Sequence, residues 1–283
     1  MSNTIQNIVA IEDFLAGDIN LSSPPEVLMR INSLLDDPNK DASHLAEAIE
    51  QDPSLSSRLL KIVNSAFYGF PATVSSIAQA VTILGSKEVS LLVFSSSAVD
   101  KFSTMPNALM DMKEFWTHSL KAALYAKFLA EHHPKKRQLS SVFISALLHD
   151  IGYIILYSKA PDLSRASALQ AKADNISGID AENKTFGFNH AELGAALLEM
   201  WKIPLSIQTA IKYHHDFNDA SEHLIETRLV YLANKLANTD TENEDISPTD
   251  PIWDVIDIPY TALPSVIESV KAEFEQTYTL FFG

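Results

Sequence analysis

Apolar residues recur along this chain at intervals of three and four and almost nowhere in strict alternation. That period belongs to the α-helix, not to the strand. Only 8 glycines occur in 283 residues, so helices joined by short loops are expected, and the fold class read from the pattern is all-α, a multi-helix bundle. Ser23-Pro24-Pro25-Glu26 reads as an N-cap, two early prolines and a capping-box glutamate opening a helix that Asp37-Pro38 stops. Leu45, Ala46 and Ile49 mark a second helix, and Asp52-Pro53 opens a third that ends by the turn Tyr68-Gly69-Phe70-Pro71. Ser75 or Ser76 is placed to cap a helix from Ile77 to Leu84, closed by Gly85, after which Ser86 starts a longer one through Phe102.

The second half keeps the helical period but gains histidines. Phe115 to Ala130 carries His118 in line with Ala122, Tyr125 and Leu129, and Phe143 to Leu156 reads as one strongly apolar helix containing His149-Asp150-Ile151-Gly152. Asn189 and Glu192 form a capping-box pattern that puts His190 in the first turn of a helix running to Trp201. Ser206 to Tyr213 leads into His214-His215, Leu229 to Leu236 is amphipathic, and Thr239 to Asp250 is an acidic loop. Pro264 to Tyr278 reads as a last helix ahead of the apolar end Leu280-Phe281-Phe282.

The absence of cysteine removes disulfides, thiolate nucleophiles and every cysteine-based metal site. A formal charge of -15 disfavours DNA, RNA or an anionic membrane as partner, and the one basic cluster, His132-His133-Pro134-Lys135-Lys136-Arg137, reads as a solvated loop. Met1 to Asn20 has no basic start leading into an apolar run, and no apolar stretch reaches the roughly 20 residues of a membrane span, so a cytoplasmic protein is expected.

A metal in such a chain must use imidazole, carboxylate or amide ligands. A lone histidine on an apolar face, such as His118, is ordinarily a hydrogen-bonded core residue, while His190 and His214-His215 would each pass as helix-end residues. Asp150 is the exception. A carboxylate within an apolar helix costs several kcal/mol, about the scale of polar desolvation, unless a cation or strong donors compensate it. Taken with His149, it points to histidines from separate helices converging on one buried point.

Asp52-Pro53 through Asn64-Ser65-Ala66-Phe67-Tyr68-Gly69, then Ile77, Ala80 and Leu84-Gly85, resemble the N-terminal signature of HDOD domains, the HD-related output domains of bacterial signalling proteins. Trp116, His118, His149-Asp150-Ile151-Gly152, His190, Glu192, Gly194, Trp201 and His214-His215 extend the resemblance over residues 20 to 240. It implies an HD-domain-like bundle with a lead-in at 1–19, an N-terminal helical part at 20–105 and an HD-like part at 106–240. Residues 241–283 would be a loop and helix packing on the bundle or against a second copy in a homodimer. The implied metal ligands are His118, His149, Asp150, His190, His214, His215 and Asn234, around a divalent ion such as Fe, Mn, Ni, Zn or Mg.

Three departures separate the chain from the hydrolases of the HD superfamily. Asn234 stands where those enzymes carry a closing aspartate, and an amide brings no negative charge. Tyr153 stands where the related HD-GYP enzymes have a phosphate-facing lysine. Asp216-Phe217-Asn218-Asp219-Ala220 lacks their Gly-Tyr-Pro motif. The resemblance therefore implies a signal-transduction output module that binds a regulatory protein or ligand, its HD site degenerate. The alternative is a metal-dependent phosphohydrolase with Asp150 at its catalytic centre. Phe67, Tyr68 and Phe70 are candidate partner contacts, although a loop folded back on its own core is the favoured explanation of them.

Overall fold

In the computed structural model, residues 10–16, 23–65, 68–103, 105, 109–238 and 246–282 are described, and among them there are helices and no strand. The first part comprises α1 (Ile11–Ala16), α2 (Glu26–Leu35), α3 (Ala42–Glu50), α4 (Pro53–Val63), α5 (Ile77–Leu84) and α6 (Ser86–Ser103). The second comprises α7 (Met112–Glu131), α8 (Val142–Leu147), α9 (Ile151–Lys159), α10 (Pro161–Asp174), α11 (Gly178–Phe186), α12 (His190–Met200), α13 (Leu205–Lys212), α14 (Leu224–Asn238) and α15 (Leu263–Phe282).

Local chemistry sets most boundaries. The Asp52 carboxylate accepts from the Ser54 and Leu55 amides with Pro53 in the first turn, so α4 begins where two orphan donors are satisfied. Ser76 caps α5 through the Gln79 amide. Gly85, at φ 89, then turns the chain so that α5 and α6 meet at 120°. Asn189 and Glu192 close the expected capping box of α12. The α2 expectation needs correcting: Pro25, not Ser23, occupies the cap position and no side chain caps that helix. The two prolines fix an extended entry, and the Ser23 carbonyl instead accepts from the Lys101 ammonium.

A second correction concerns the apolar run Phe143–Leu156, which is not one helix. The stretch Val142–Lys159 is apolar enough to cross a membrane by composition, but it breaks at Leu148–Asp150 and lies mostly buried in the bundle. His149 Nδ1 donates to the Ala146 carbonyl at 2.7 Å and so takes a C-terminal acceptor of α8, while Asp150 takes the N-cap position of α9 without capping it. The break leaves the Asp150 carboxylate uncommitted to backbone.

The long helix α7 is the axis of the second part, with α8, α14 and α15 packed along it. Phe281 and Phe282 at the chain's end stack on Phe143 and Trp116 with ring centroids 5.9 and 5.4 Å apart, so the apolar terminus covers this bundle. Trp201, 1% exposed, ties the parts together: it stacks on Phe102 at 5.9 Å, meets Phe94 edge-on, and accepts at its carbonyl from Asn32 Nδ2. Helix α1 in the lead-in buries Leu15, sets Phe14 against Phe186 and Phe188, and is held by Lys159 on the Phe14 and Leu15 carbonyls.

Candidate metal centre

Four helix termini and the body of two helices deliver the polar side chains to one place. His118 comes from α7, His149 and Asp150 from the α8–α9 break, His190 from the first turn of α12, His214 and His215 from just beyond α13, and Asn234 from α14. A histidine at a helix end can aim its ring along the axis into the core, which one in mid-helix cannot.

Asp150 is the hub. Its Oδ2 lies 3.2 Å from His149 Nε2 and 3.6 Å from His118 Nε2, while its Oδ1 lies 3.3 Å from His190 Nε2 and 3.4 Å from His214 Nε2. His118 and His149 face each other at 3.2 Å through Nε2, and His215 Nε2 is 3.0 Å from His190 Nε2. Two donor groups result, His118–His149–Asp150 and Asp150–His190–His214–His215, each with its ligand atoms within 4.8 Å of one another. His149, His190 and His214 are fully shielded, whereas His118 and His215 face the opening. Asn234 is buried beside His118, and its Oδ1 accepts from Asn238 Nδ2 at 3.0 Å.

The tautomers are set from behind. His149 Nδ1 donates to the Ala146 carbonyl and His214 Nδ1 to the Ile211 carbonyl at 2.6 Å. His190 Nδ1 donates to Glu182 Oε2 at 2.8 Å. With Nδ1 carrying the proton, a ring that has none at Nε2 turns a lone pair toward the carboxylate oxygens of Asp150, where acceptor faces acceptor. His214 Nε2 and Asp150 Oδ1 are both buried without a hydrogen-bond partner. Unpaired buried acceptors converging on one point need a shared proton or a cation among them, and the donor set, imidazole and carboxylate, fits a divalent metal.

Protonation agrees with this at His118, His214 and His215. Burial, then the charge of His149, pulls His118 down to about 4, and burial pulls His214 down to about 4. Burial, then His214 and His190, takes His215 down to about 2. These rings are neutral near pH 7, as ligands must be. Burial opposes ionisation of Asp150, but His149 and then His190 and His214 around it outweigh it and hold the carboxyl well below its ordinary range. His190 is the exception: burial lowers it, yet the carboxylates of Asp150 and Glu182 on either side win and push it up to about 9, so without a metal this ring carries a proton near pH 7 that a bound cation would displace.

Gly152 makes this spacing possible, because the α12 backbone passes directly over it. A Cβ built there would stand 1.9 Å from the His190 carbonyl oxygen and 3.0 Å from the Gly194 amide nitrogen. Tyr153 stacks flat on His190, with centroids 3.7 Å apart and planes 17° from parallel, and lies beside Glu182.

Not every polar residue of interest joins the cluster. His44 closes a capping box with Asp41 on α3. In the basic segment His133 is buried and accepts from the Lys135 amide, while its neighbours are exposed. Tyr68 stacks on Phe70 at 5.8 Å and donates to Glu88, both rings packing on the core, and Phe67 lies outside the described residues. Glu182 was not legible from the sequence: it belongs to a separate helix, eight positions before His190, with no motif to join them.

Helices around a histidine–aspartate cluster at the break in His149-Asp150-Ile151-Gly152 define an HD-type protein. Residues 21–217 match the HDOD domain model, and the chain belongs to that family. It is similar to an HDOD domain protein of unknown function from Geobacter sulfurreducens, with 25% identity and a TM-score of 0.74 over 96% of this chain and 97% of that one. A candidate phosphohydrolase from Shewanella amazonensis SB2B shares the fold at 20% identity, 97% coverage of both chains and a TM-score of 0.71. So does a candidate signal transduction protein from Marinobacter aquaeolei VT8, at 22% identity and a TM-score of 0.66 over 92% of this chain and 59% of that one. An uncharacterized protein of Treponema pallidum (strain Nichols) is 28% identical over 199 residues, which are 70% of this chain but 38% of that protein.

Proposed function

We propose that this HDOD protein is a bacterial signal-transduction output module that works by binding a regulatory protein or ligand, with its histidine–aspartate cluster holding a divalent cation. One observation carries this reading: the closing position of the cluster is Asn234, whose amide oxygen is engaged by Asn238, so a second anion is missing there. Tyr153 supports it, because its ring covers His190 and its hydroxyl is turned to Glu182, leaving no cation there to receive a phosphate. The net charge of -15 favours a protein or small-molecule partner in the cytoplasm over nucleic acid.

His149, Asp150, His190, His214 and His215, with His118 and Asn234 at the edge, would hold the ion. When bound, a divalent cation supplies Lewis acidity and positive charge. The chain's own residues orient the donors, exclude water from three of the five imidazoles, and hold Asp150 as the carboxylate. The competing reading, a metal-dependent phosphohydrolase, is favoured by Asp150 presenting one oxygen to each of two histidine groups. Metal-loaded protein incubated with phosphomonoesters, phosphodiesters and cyclic dinucleotides, beside Asp150→Ala, separates the two. The expected result is no turnover above that of the variant; turnover that Asp150→Ala abolishes would make the protein a hydrolase.

A further inference from the structure

We infer that Glu182 makes the two donor groups unequal, so that the Asp150–His190–His214–His215 group is a tight site for a single divalent ion and the His118–His149–Asn234 side is a weak one. This rests on the metal-binding reading above and adds to it which residues take the ion.

The difference between the two groups lies in the charge placed behind the imidazoles. His149 and His214 donate their Nδ1 protons to neutral backbone carbonyls, but His190 donates to a carboxylate. A single oxygen, Glu182 Oε2, receives both the ring and the backbone amide of His190, each at 2.8 Å. That double contact fixes the ring's rotation as well as its tautomer, and Tyr153 closes the remaining freedom by stacking on the ring. Glu182 is 6% exposed, so its charge is little screened by solvent. A carboxylate behind a ligating histidine raises the ring's basicity toward a cation at Nε2.

Counting anions around each group gives the asymmetry. The His190 side has Asp150 Oδ1 directly and Glu182 one imidazole away. The His118 side has Asp150 Oδ2 and a neutral amide in Asn234, with the Lys121 ammonium one helical turn from His118. Glu182 thus adds negative charge on the His190 side only, and nothing replaces the charge missing at Asn234 on the other. It is a positioning residue and touches no substrate.

Co2+ titration followed by visible absorption and calorimetry tests this, with melting curves of the metal-free proteins as the control for folding. The wild type is expected to take up one tight Co2+ per chain. Glu182→Gln keeps the size and an acceptor but removes the charge, and should weaken that site about 10- to 100-fold while the metal-free melting temperature moves little. His118→Ala should retain the tight site, His215→Ala should weaken it, and Asn234→Asp should gain a second ion. Wild-type uptake left unchanged by Glu182→Gln, or a tight site lost in His118→Ala, overturns the inference alone. No uptake by the wild type overturns the metal-binding reading with it. If Glu182→Gln fails to fold, the His118→Ala, His215→Ala and Asn234→Asp titrations decide the same question.

Discussion

Replacing Gly152 by alanine adds one methyl group at the point where the His149-Asp150 break meets α12. The new Cβ would stand 1.9 Å from the His190 carbonyl oxygen and 2.8 Å from its carbon, and both are backbone atoms that no rotamer change can move aside. Ordinary contact begins near 3.4 Å, so the two segments must part by about 1.5 Å. Overpacking of a close-packed interior costs about 1–3 kcal/mol, and a backbone clash belongs at the upper end. At roughly 2–4 °C per kcal/mol for a chain of this size, the melting temperature should fall by about 6–12 °C. The same parting carries His190 Nε2 away from Asp150 Oδ1, now 3.3 Å apart, well past the roughly 0.5 Å that a ligand set tolerates. Calorimetric melting with and without Zn2+ measures both effects, and Gly178→Ala is the control, since its Cβ would meet only the Tyr153 hydroxyl at 3.7 Å. If Gly152→Ala melts with the wild type and binds metal equally well, the close crossing of α9 and α12 is not what holds the cluster together.

Two further outcomes follow from the N-terminal part. Asn64 spans the turn after α4, donating to the Leu60 and Val74 carbonyls at 2.8 Å and accepting from the Val74 amide at 2.7 Å. Asn64→Ala should cost about 1–2 kcal/mol in urea unfolding and speed proteolysis within residues 65–74; unchanged cleavage would show that the turn closes without it. Burial raises the Glu88 carboxyl above its ordinary value despite hydrogen bonds from Ser140 and Tyr68. A raised acid binds its proton more readily folded than unfolded, so its contribution is present below the unfolded pKa and is lost as pH rises through the folded one. Glu88→Gln should therefore gain melting temperature relative to wild type at pH 7 and little at pH 4; an equal gain at both would refute the desolvation argument.

Sequence reasoning reached furthest where the physics is local. Asp52-Pro53, Ser76 and Gly85, and the Asn189–Glu192 box lie within a few residues of the groups they satisfy, so the helix boundaries could be read directly. It failed at Ser23 and at the Phe143–Leu156 run, where the deciding partners, Lys101 and the residues around His190, are remote in the chain. The histidines were visible as polar residues on apolar faces. Their mutual distances were not, because those depend on how five helices cross.

The chain by itself determined that it would be helical, where most helices begin, and that imidazoles, Asp150 and the amide of Asn234 were the donors at hand, since these follow from residue type and spacing of a few positions. Tertiary structure alone decided that the HD dyad sits at a break and not inside a helix, that its two carboxylate oxygens serve different histidines, and that Glu182 stands behind His190. The reason is that a buried charge is stabilised by whichever dipoles and ions the packing brings within about 3–4 Å, and sequence separation has no bearing on that distance.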